Sequence, residues 1–265
     1  MTIYRSNTAW NSSSRWYDEL LESNPDTYQK QVILPNLLRL LAVGKGEVLL
    51  DLACGQGFFA REFAKTGATV IGVDAAKSLI ELAKKKGSPS LRSGSMLRID
   101  YHVAVADGLG FLKTGSIDTV VIVLALQNIE NIAGVFAECA RVLNPHGRLL
   151  FVINHPAFRV PKNSSWGYDS ERKMQYRRID TYATEAKVKI QMRPGDAPEV
   201  HTLSFHRPLQ SYFKALAKTG FAVMRLEEWN SYKKSEPGPR ATAENRARQE
   251  IPLFLAVEAA PKGTA

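Results

Sequence analysis

The hydrophobic residues of this chain fall into short, continuous apolar runs that alternate with segments of helical spacing. The apolar runs are residues 48–52, 68–73, 101–105, 116–124 and 148–154, and the helical segments are 58–65, 76–86 and 133–143. Uninterrupted runs of this length are typical of strands buried on both faces of a parallel sheet. The alternation therefore predicts an α/β fold, with a mostly parallel, doubly wound sheet and helices on both of its faces.

The segments before and after this alternation predict a cap and an insertion. Residues 1–45 are polar and aromatic, with helical spacing over 28–41, and we interpret them as an N-terminal helical lid on an α/β domain spanning 46–265. Residues 155–207 form a long insertion after the fifth strand, expected to be a loop facing the substrate. A helix is predicted over 209–219, strands over 221–228 and 251–259, and a polar loop with one helical turn over 229–249.

A glycine turn follows the first strand. The spacing Gly55-x-Gly57-x-x-Ala60 fits a nucleotide-binding fingerprint, in which glycines let the backbone approach a ligand at a helix N-terminus. Asp74 ends the next apolar run, at about the distance expected of a carboxylate that binds ribose. Asp51 ends the first strand, directly before the turn.

Asp51 separates two classes of ligand. A carboxylate beside the turn repels a pyrophosphate, so NAD or FAD would bind poorly. S-adenosyl-L-methionine has no phosphate and carries an ammonium and a sulfonium, so a carboxylate at this place favours it. A dinucleotide oxidoreductase stays open only if the charge of Asp51 is harmless there.

Residues 46–154 resemble the class I S-adenosylmethionine-dependent methyltransferases. The segment Leu-Asn-Pro-His-Gly-Arg-Leu at 143–149 is similar to the family's L-x-P-G-G-x-L run before its fifth strand, with His146 in place of a glycine. The resemblance implies a Rossmann-like, seven-stranded sheet of order 3-2-1-4-5-7-6, whose last strand is antiparallel. It also implies S-adenosyl-L-methionine as the cofactor.

The resemblance assigns cofactor roles to particular positions. For the methionine part and the ribose they are Asp51, Ala53, Gly55, Gly57, Asp74 and Ala75; for the adenine, Asp107 and Gly108; beside the methyl group, Leu124. Gln127, on the same segment, is expected to face the methyl group as a substrate residue. Tyr17, in the aromatic N-terminal segment, is a further candidate for the cofactor pocket. Each acid alone could be a strand-end cap, but three of them at the carboxyl ends of three strands favour a ligand site.

Two histidines and three residues of the insertion are candidates for catalysis and acceptor binding. His155 follows the fifth strand and His206 precedes the later helix, so either could act as a base or orient the acceptor, although packing or capping roles are equally open. Trp166, Tyr176 and Arg177 could bind the acceptor, since arginine pairs with carboxylates and phosphates. Alternatively, these three side chains are exposed loop residues without a role in binding.

Charge and composition limit the partners. The chain has 265 residues and a net charge of +9, and residues 155–250 hold 18 Lys and Arg against 11 Asp and Glu. This positive field favours an acidic small molecule or a nucleic acid. Cys54 and Cys139 are too few for a disulfide framework or a metal site and are interpreted as small buried residues. The absence of a long apolar run and of a signal-peptide core predicts a cytoplasmic protein without membrane segments.

These observations predict a methyltransferase for an oxygen or nitrogen atom of a small molecule, with carbon less favoured. No Asn/Asp-Pro-Pro-Tyr/Phe sequence follows the fourth strand, which disfavours exocyclic amino groups of bases as acceptors. Two alternatives stay open. One is an RNA methyltransferase using the basic C-terminal half, although the sequence has no recognisable RNA-binding module; the other is a non-catalytic S-adenosylmethionine-binding protein.

Overall fold

Eleven strands form one large sheet and two separate hairpins in the computed structural model, which describes residues 9–87, 98–193 and 197–263. The strands are β1 (Val48–Leu52), β2 (Thr69–Asp74), β3 (Ile99–Val103), β4 (Ile117–Val123), β5 (Leu143–Asn154), β6 (Ser164–Asp169), β7 (Met174–Ile179), β8 (Ala186–Arg193), β9 (Ala197–His206), β10 (Phe221–Trp229) and β11 (Phe254–Pro261). The large sheet has the order β3-β2-β1-β4-β5-β11-β10. Strands β1 to β5 run parallel, and β11 is antiparallel to both β5 and β10.

The α/β class and the mostly parallel sheet are therefore confirmed. The expected order 3-2-1-4-5-7-6 did not count strands in the insertion, which contributes four. The two strands beyond β5 consequently carry the numbers 11 and 10.

Helices cover both faces of the sheet. They are α1 (Ala9–Ser23), α2 (Leu34–Leu41), α3 (Phe58–Ala64), α4 (Lys77–Gly87), α5 (Ile132–Val142), α6 (Leu209–Lys218) and α7 (Ala241–Glu250), with a π-helical turn at Gln29–Ile33 and a 3-10 turn at Leu126–Asn128. Since neighbouring residues of a strand point to opposite faces, Leu49 packs with Phe63 on one face while Leu50 packs with Phe136 on the other. In the three described stretches, none of the helices is long and apolar enough to cross a membrane. The cytoplasmic location stays a prediction.

Two segment predictions were wrong and a third was confirmed. The insertion is not a loop: it folds as the hairpins β6–β7 and β8–β9. Residues 241–250 form helix α7 rather than a loop, and because Ala247 is its one buried residue, it shows no apolar stripe in the sequence. The helix expected over 28–41 is present: a π-helical turn at Gln29–Ile33 leads directly into α2, with Pro35 in the first turn of α2.

Helix α1 is attached to the sheet domain by polar contacts. The Ser78 hydroxyl and the Asn11 side-chain oxygen lie 3.0 Å apart, and Lys86 pairs with Asp18 of α1. Glu22, near the end of the same helix, pairs with Arg61 of α3. The N-terminal segment thus lies against the helices beside the glycine turn, and its function as a lid stays a prediction.

The ring of Tyr101 in β3 fills a space left by glycines. A Cβ atom on Gly72 of the neighbouring strand would lie 2.5 Å from Tyr101 Cδ1, and one on Gly57 would lie 2.4 Å from its hydroxyl. Tyr101 is 4% exposed, so its ring has no open space into which to move. These glycines therefore let β3 pack against the turn after β1.

We expect Gly72→Ala to destabilise the protein by about 1–3 kcal/mol, because the new methyl group overpacks the buried Tyr101 ring. Chemical denaturation measures this change. Gly110→Ala is the matched control, since a Cβ there meets nothing within 4 Å. Equal stabilities of the two variants would contradict the packing role of Gly72.

Candidate active site

A cavity of about 590 Å³ opens at the carboxyl ends of β1 to β4. Its floor is formed by the glycine turn and by the segments that follow β2, β3 and β4. Helix α1 and the hairpin β8–β9 line the opposite side and meet where the Ser13 hydroxyl lies 3.6 Å from Met192 Sδ. The lining includes Trp10, Tyr17, Asp51, Ala53, Gly55, Phe59, Asp74, Ala75, Ala106, Asp107, Leu124, Asn128, Ile129, Glu130, Asn131, Lys189, His201, Thr202, Leu203 and Phe205.

The turn after β1 has left-handed backbone at three positions. Ala53, Gly55 and Gly57 have φ of 61°, 59° and 78°. Ala53 and Gly55 line the cavity, as the resemblance implied, but Gly57 does not. Gly57 lies directly before α3 and makes room for Tyr101 instead, so its position does not support direct contact with a ligand.

Two carboxylates lie beside this turn in an apolar setting. Asp51 is 1% exposed, and its Oδ2 has no hydrogen-bond partner among the described residues. Burial, followed by the charge of Asp74, raises the pKa of Asp51 to about 8. Asp74 accepts hydrogen bonds from the Gly55 and Ala76 N–H groups at 2.9 and 2.8 Å, and burial also raises its pKa.

Tyr17 reaches this acidic end from α1. Its ring edge would lie 3.6 Å from a Cβ on Gly55, and Trp10 packs against it edge-on at 5.3 Å between ring centroids. Burial and then the charges of Asp74 and Asp51 raise the pKa of Tyr17 to about 12, so it is a neutral hydrogen-bond donor at physiological pH. Tyr17 thus lies where the sequence placed it, at the cavity.

The carboxylate after β3 is held at the cavity edge. Asp107 accepts a hydrogen bond from Asn131 Nδ2 at 2.9 Å, and the Asn131 side-chain oxygen accepts one from the Gly134 N–H at 3.0 Å. The N-terminus of α5 therefore fixes Asp107. Gly108 closes a turn through its N–H to the Val105 carbonyl and does not line the cavity.

The segment after β4 differs from expectation at one of its two predicted residues. Leu124 lines the cavity with a left-handed φ of 53°. Gln127 does not line it, because its amide donates to the Leu124 carbonyl at 2.7 Å. Residues 128–131 lie at the cavity in its place.

Neither predicted catalytic histidine reaches the cavity. His155 is 2% exposed and contacts Glu228 Oε1 through Nε2 at 2.7 Å, while the Ala157 N–H donates to its Nδ1 at 3.3 Å. Burial lowers the pKa of His155 despite the Glu228 contact, so it is a neutral packing residue. His206 bonds the Tyr182 carbonyl through Nε2 at 2.8 Å. Their positions do not support the roles predicted for them.

The three acceptor residues predicted in the insertion lie on the other hairpin, away from the cavity. Trp166 and Tyr176 are 41% and 45% exposed. Arg177 donates to the Phe158 carbonyl at 3.0 Å and to the Ser164 hydroxyl at 2.7 Å, and its guanidinium lies 5.1 Å from the Trp166 ring centroid. Arg177 is thus occupied by contacts within the insertion. The structure brings none of the three to the cavity.

The whole insertion 155–207 was expected from the sequence to face the substrate, but the hairpin β8–β9 was not identified as the part of it that forms a wall of the cavity. Residues 187–192 alternate strictly between polar and apolar, which is a strand signal that could have revealed it. Arg207, 7% exposed, follows this hairpin and donates to the Ile129 and Glu130 carbonyls at 2.9 and 2.6 Å. Asn128 donates to the Leu203 carbonyl at 3.0 Å. These bonds join the hairpin to the segment after β4.

Comparison with known proteins identifies the domain that holds this cavity. Residues 50–151 match the family model described as a methyltransferase domain. Residues 50–151 are therefore a methyltransferase domain of the class I, S-adenosylmethionine-dependent type. The resemblance and the cofactor predicted from the sequence are thereby confirmed.

Relatives of this methyltransferase domain include a solved structure and curated enzymes. The crystal structure of an S-adenosylmethionine-dependent methyltransferase from Mesorhizobium loti is 28% identical, with a TM-score of 0.66 over 85% of this chain and 95% of that one. A ubiquinone biosynthesis O-methyltransferase of Xanthomonas oryzae pv. oryzae is 30% identical over 142 residues, which are 52% of this chain and 55% of the relative. A demethylmenaquinone methyltransferase of Tropheryma whipplei is 34% identical over 119 residues, which are 44% of this chain and 46% of the relative. The chain therefore spans about half the length of the curated relatives it matches.

The methyltransferase cavity fits this cofactor chemically. The unpartnered Asp51 oxygen can accept from an ammonium group, and the Asp74 oxygens keep lone pairs for ribose hydroxyls beside the two bonds they already accept. A side chain at Gly55 would be strained and would point toward Tyr17. The site residues that line the cavity stay candidates for cofactor binding.

We expect Asp51→Asn to flatten the pH dependence of stability of the unliganded protein. The folded pKa of Asp51 is about 8, against roughly 3.9 in an unfolded chain, so the folded state keeps a proton that the unfolded chain has lost. Stability from this group is therefore full below about pH 4 and declines as the pH rises to about 8, by roughly 1.4 kcal/mol per unit at most. Urea unfolding from pH 5 to 8 measures the slope.

Asp107→Asn is the control, because its carboxylate lies at the same cavity but is exposed, and the wild-type slope should persist in it. A wild-type slope that is unchanged in Asp51→Asn would show that another group carries the pH dependence.

Proposed function

We propose that this protein transfers the methyl group of S-adenosyl-L-methionine to an oxygen or nitrogen atom of a small molecule, with carbon less favoured. The observation that carries the proposal is the single continuous cavity. Its acidic end, with Asp51 and Asp74, suits the methyl donor, and it continues past Leu124 to a wall formed by the hairpin β8–β9. Donor and acceptor can thus lie in one cavity.

The size and covering of the cavity support a small acceptor. Its volume of about 590 Å³ is within the range of roughly 300–1,000 Å³ usual for small-molecule sites. Leu203 and Phe205 give the hairpin side of the cavity an apolar surface. Lys189, His201 and Thr202 add polar groups to the same side. The names of two relatives, a ubiquinone biosynthesis O-methyltransferase and a demethylmenaquinone methyltransferase, also suggest a small acceptor.

In this proposal the residues of the chain bind the methyl donor and the acceptor and orient them toward each other. Asp51 and Asp74 would hold the methionine and ribose parts, Asp107 the adenine, and Tyr17 would cover the acidic end. The bound donor supplies an electrophilic methyl group on a sulfonium. Helix α1 and the hairpin exclude water, so the main contribution of the protein is alignment of the two reactants. We keep residues 1–45 as the lid and 155–207 as the substrate-facing insertion, with its β8–β9 part at the cavity.

The RNA alternative gains no support from these observations. Several basic side chains of the C-terminal half are paired with acids: Arg178 with Asp180, Lys187 with Glu130, Arg225 with Glu258, and Lys233 with Asp26. Pairing reduces the field available to phosphates. A non-catalytic binding protein would share the donor end of the cavity, and only turnover separates it from an enzyme.

We expect S-adenosylhomocysteine to bind the purified protein with clear heat in calorimetry, and NADH to give none, because the buried carboxyl groups of Asp51 and Asp74 offer a pyrophosphate no positive charge, and ionisation of either group repels it. Asp74→Asn should weaken this binding about 10-fold or more, since it removes a charge that accepts two backbone N–H bonds at the site. Glu244→Gln, on the distant helix α7, is the control.

A panel of phenols, carboxylic acids and amines with donor labelled in the methyl group then tests turnover, with a mixed RNA pool as the competing substrate. Labelling of RNA alone, with a rate that falls steeply with salt, would reject the small-molecule proposal in favour of the RNA alternative.

A further inference from the structure

One histidine of the chain does line the cavity, and the sequence interpretation did not select it. All five histidines fall within the residues that the structure describes, and of these His201 alone belongs to the cavity wall. It lies in β9, opposite Gln191 of β8. His155 and His206, in contrast, are buried with their Nε2 atoms bonded elsewhere.

The contacts of His201 fix its tautomer. Its Nδ1 lies 2.8 Å from the Glu199 carbonyl, and because a carbonyl can only accept, Nδ1 carries the hydrogen. In the neutral ring, Nε2 then holds a lone pair. Within the described parts of the chain, Nε2 makes no hydrogen bond, so it can accept a proton from a molecule in the cavity.

A lysine shares this face of the hairpin. Lys189 lies opposite Leu203, two residues from His201, so the two side chains are diagonal neighbours on one face, at roughly 7–8 Å by sheet geometry. Lys187, also on this face, pairs with Glu130 at 3.1 Å. Among the described residues, no carboxylate pairs with Lys189. It is also the one Lys or Arg that the described residues contribute to the cavity lining.

This pair distinguishes between classes of acceptor. A cation repels a protonated amine, whereas it stabilises an oxygen that becomes negative. A phenol or enol loses its proton with difficulty at neutral pH, so a nearby base and a cation both promote its ionisation. Aliphatic alcohols are much weaker acids, and carboxylic acids need no base.

We propose that Lys189 and His201 form the acceptor site for a phenol or enol hydroxyl, with His201 as the general base and Lys189 as the counter-ion. His201 Nε2 takes the hydroxyl proton: the O–H bond breaks, its electron pair stays on oxygen, and an N–H bond forms. The resulting oxyanion, held by the Lys189 ammonium, is the nucleophile, and the imidazolium later returns its proton to water. The proposal rests on the proposed methyl transfer and narrows it to oxygen.

The test uses 4-nitrocatechol, a phenol whose ionised form is visible by its absorbance, added to the protein with S-adenosylhomocysteine. Wild-type protein should raise the ionisation constant of the bound probe about tenfold over that of the free probe. Lys189→Met should remove most of this increase, and Lys189→Arg should retain it. In His201→Gln, ionisation of the bound probe should release a proton to the buffer that the wild type keeps on its imidazole, as calorimetry in two buffers would measure.

Lys218→Met and His146→Gln, both exposed and outside the cavity lining, are the matched controls and should behave as wild type. Failure of 4-nitrocatechol to bind, an unchanged ionisation constant, or wild-type behaviour of both Lys189→Met and His201→Gln would overturn the proposal. S-adenosylhomocysteine binding is measured alone first. Its loss in the wild type would reject the proposed function itself, whereas its presence without any effect on the probe rejects only the acceptor site.

Discussion

The burial of one carboxylate beside a glycine turn sets the chemistry of this cavity. Asp51 lies at the end of the central strand β1, between Gly72 of β2 and Val121 of β4, where water cannot solvate it. Keeping an ionised carboxylate there is costly unless a positive group compensates for it. The raised pKa of Asp51 in the unliganded protein and the affinity expected for a positively charged donor are two consequences of this same cost.

The rest of the structure makes this environment possible. The glycines around Tyr101 let β3 approach the turn closely, and the N–H groups of Gly55 and Ala76 hold Asp74 in place. Helix α1 then closes the acidic end with Tyr17. Helix α1 is held to the sheet domain by polar contacts of Asn11 and Asp18 and by Leu21, which is buried in the core.

The side of the cavity proposed for the acceptor follows a different principle. It is formed by the hairpin β8–β9, which is outside the seven-stranded sheet and is held to the segment after β4 by Arg207 and Asn128. Residues 50–151, which match the family model, contain the donor end, whereas this hairpin lies beyond them. The part of the cavity that would select an acceptor is therefore the part that the family model does not cover.

What the sequence determined by itself was the acidic end of the cavity, which is the proposed donor site. The buried strands appear as apolar runs, and a parallel sheet places the residues that follow each strand at one edge, so Asp51, Asp74 and Asp107 could be assigned to one site from their positions alone. The opposite side, which is the proposed acceptor site, was decided by tertiary structure. His155 lies directly after β5, and Asp51 lies near the end of β1, so their sequence positions are similar. The side chain of His155 nevertheless packs against Phe158 and contacts Glu228. Which hairpin covers a sheet, and which of five histidines then faces the cavity, depends on long-range packing that no local pattern encodes.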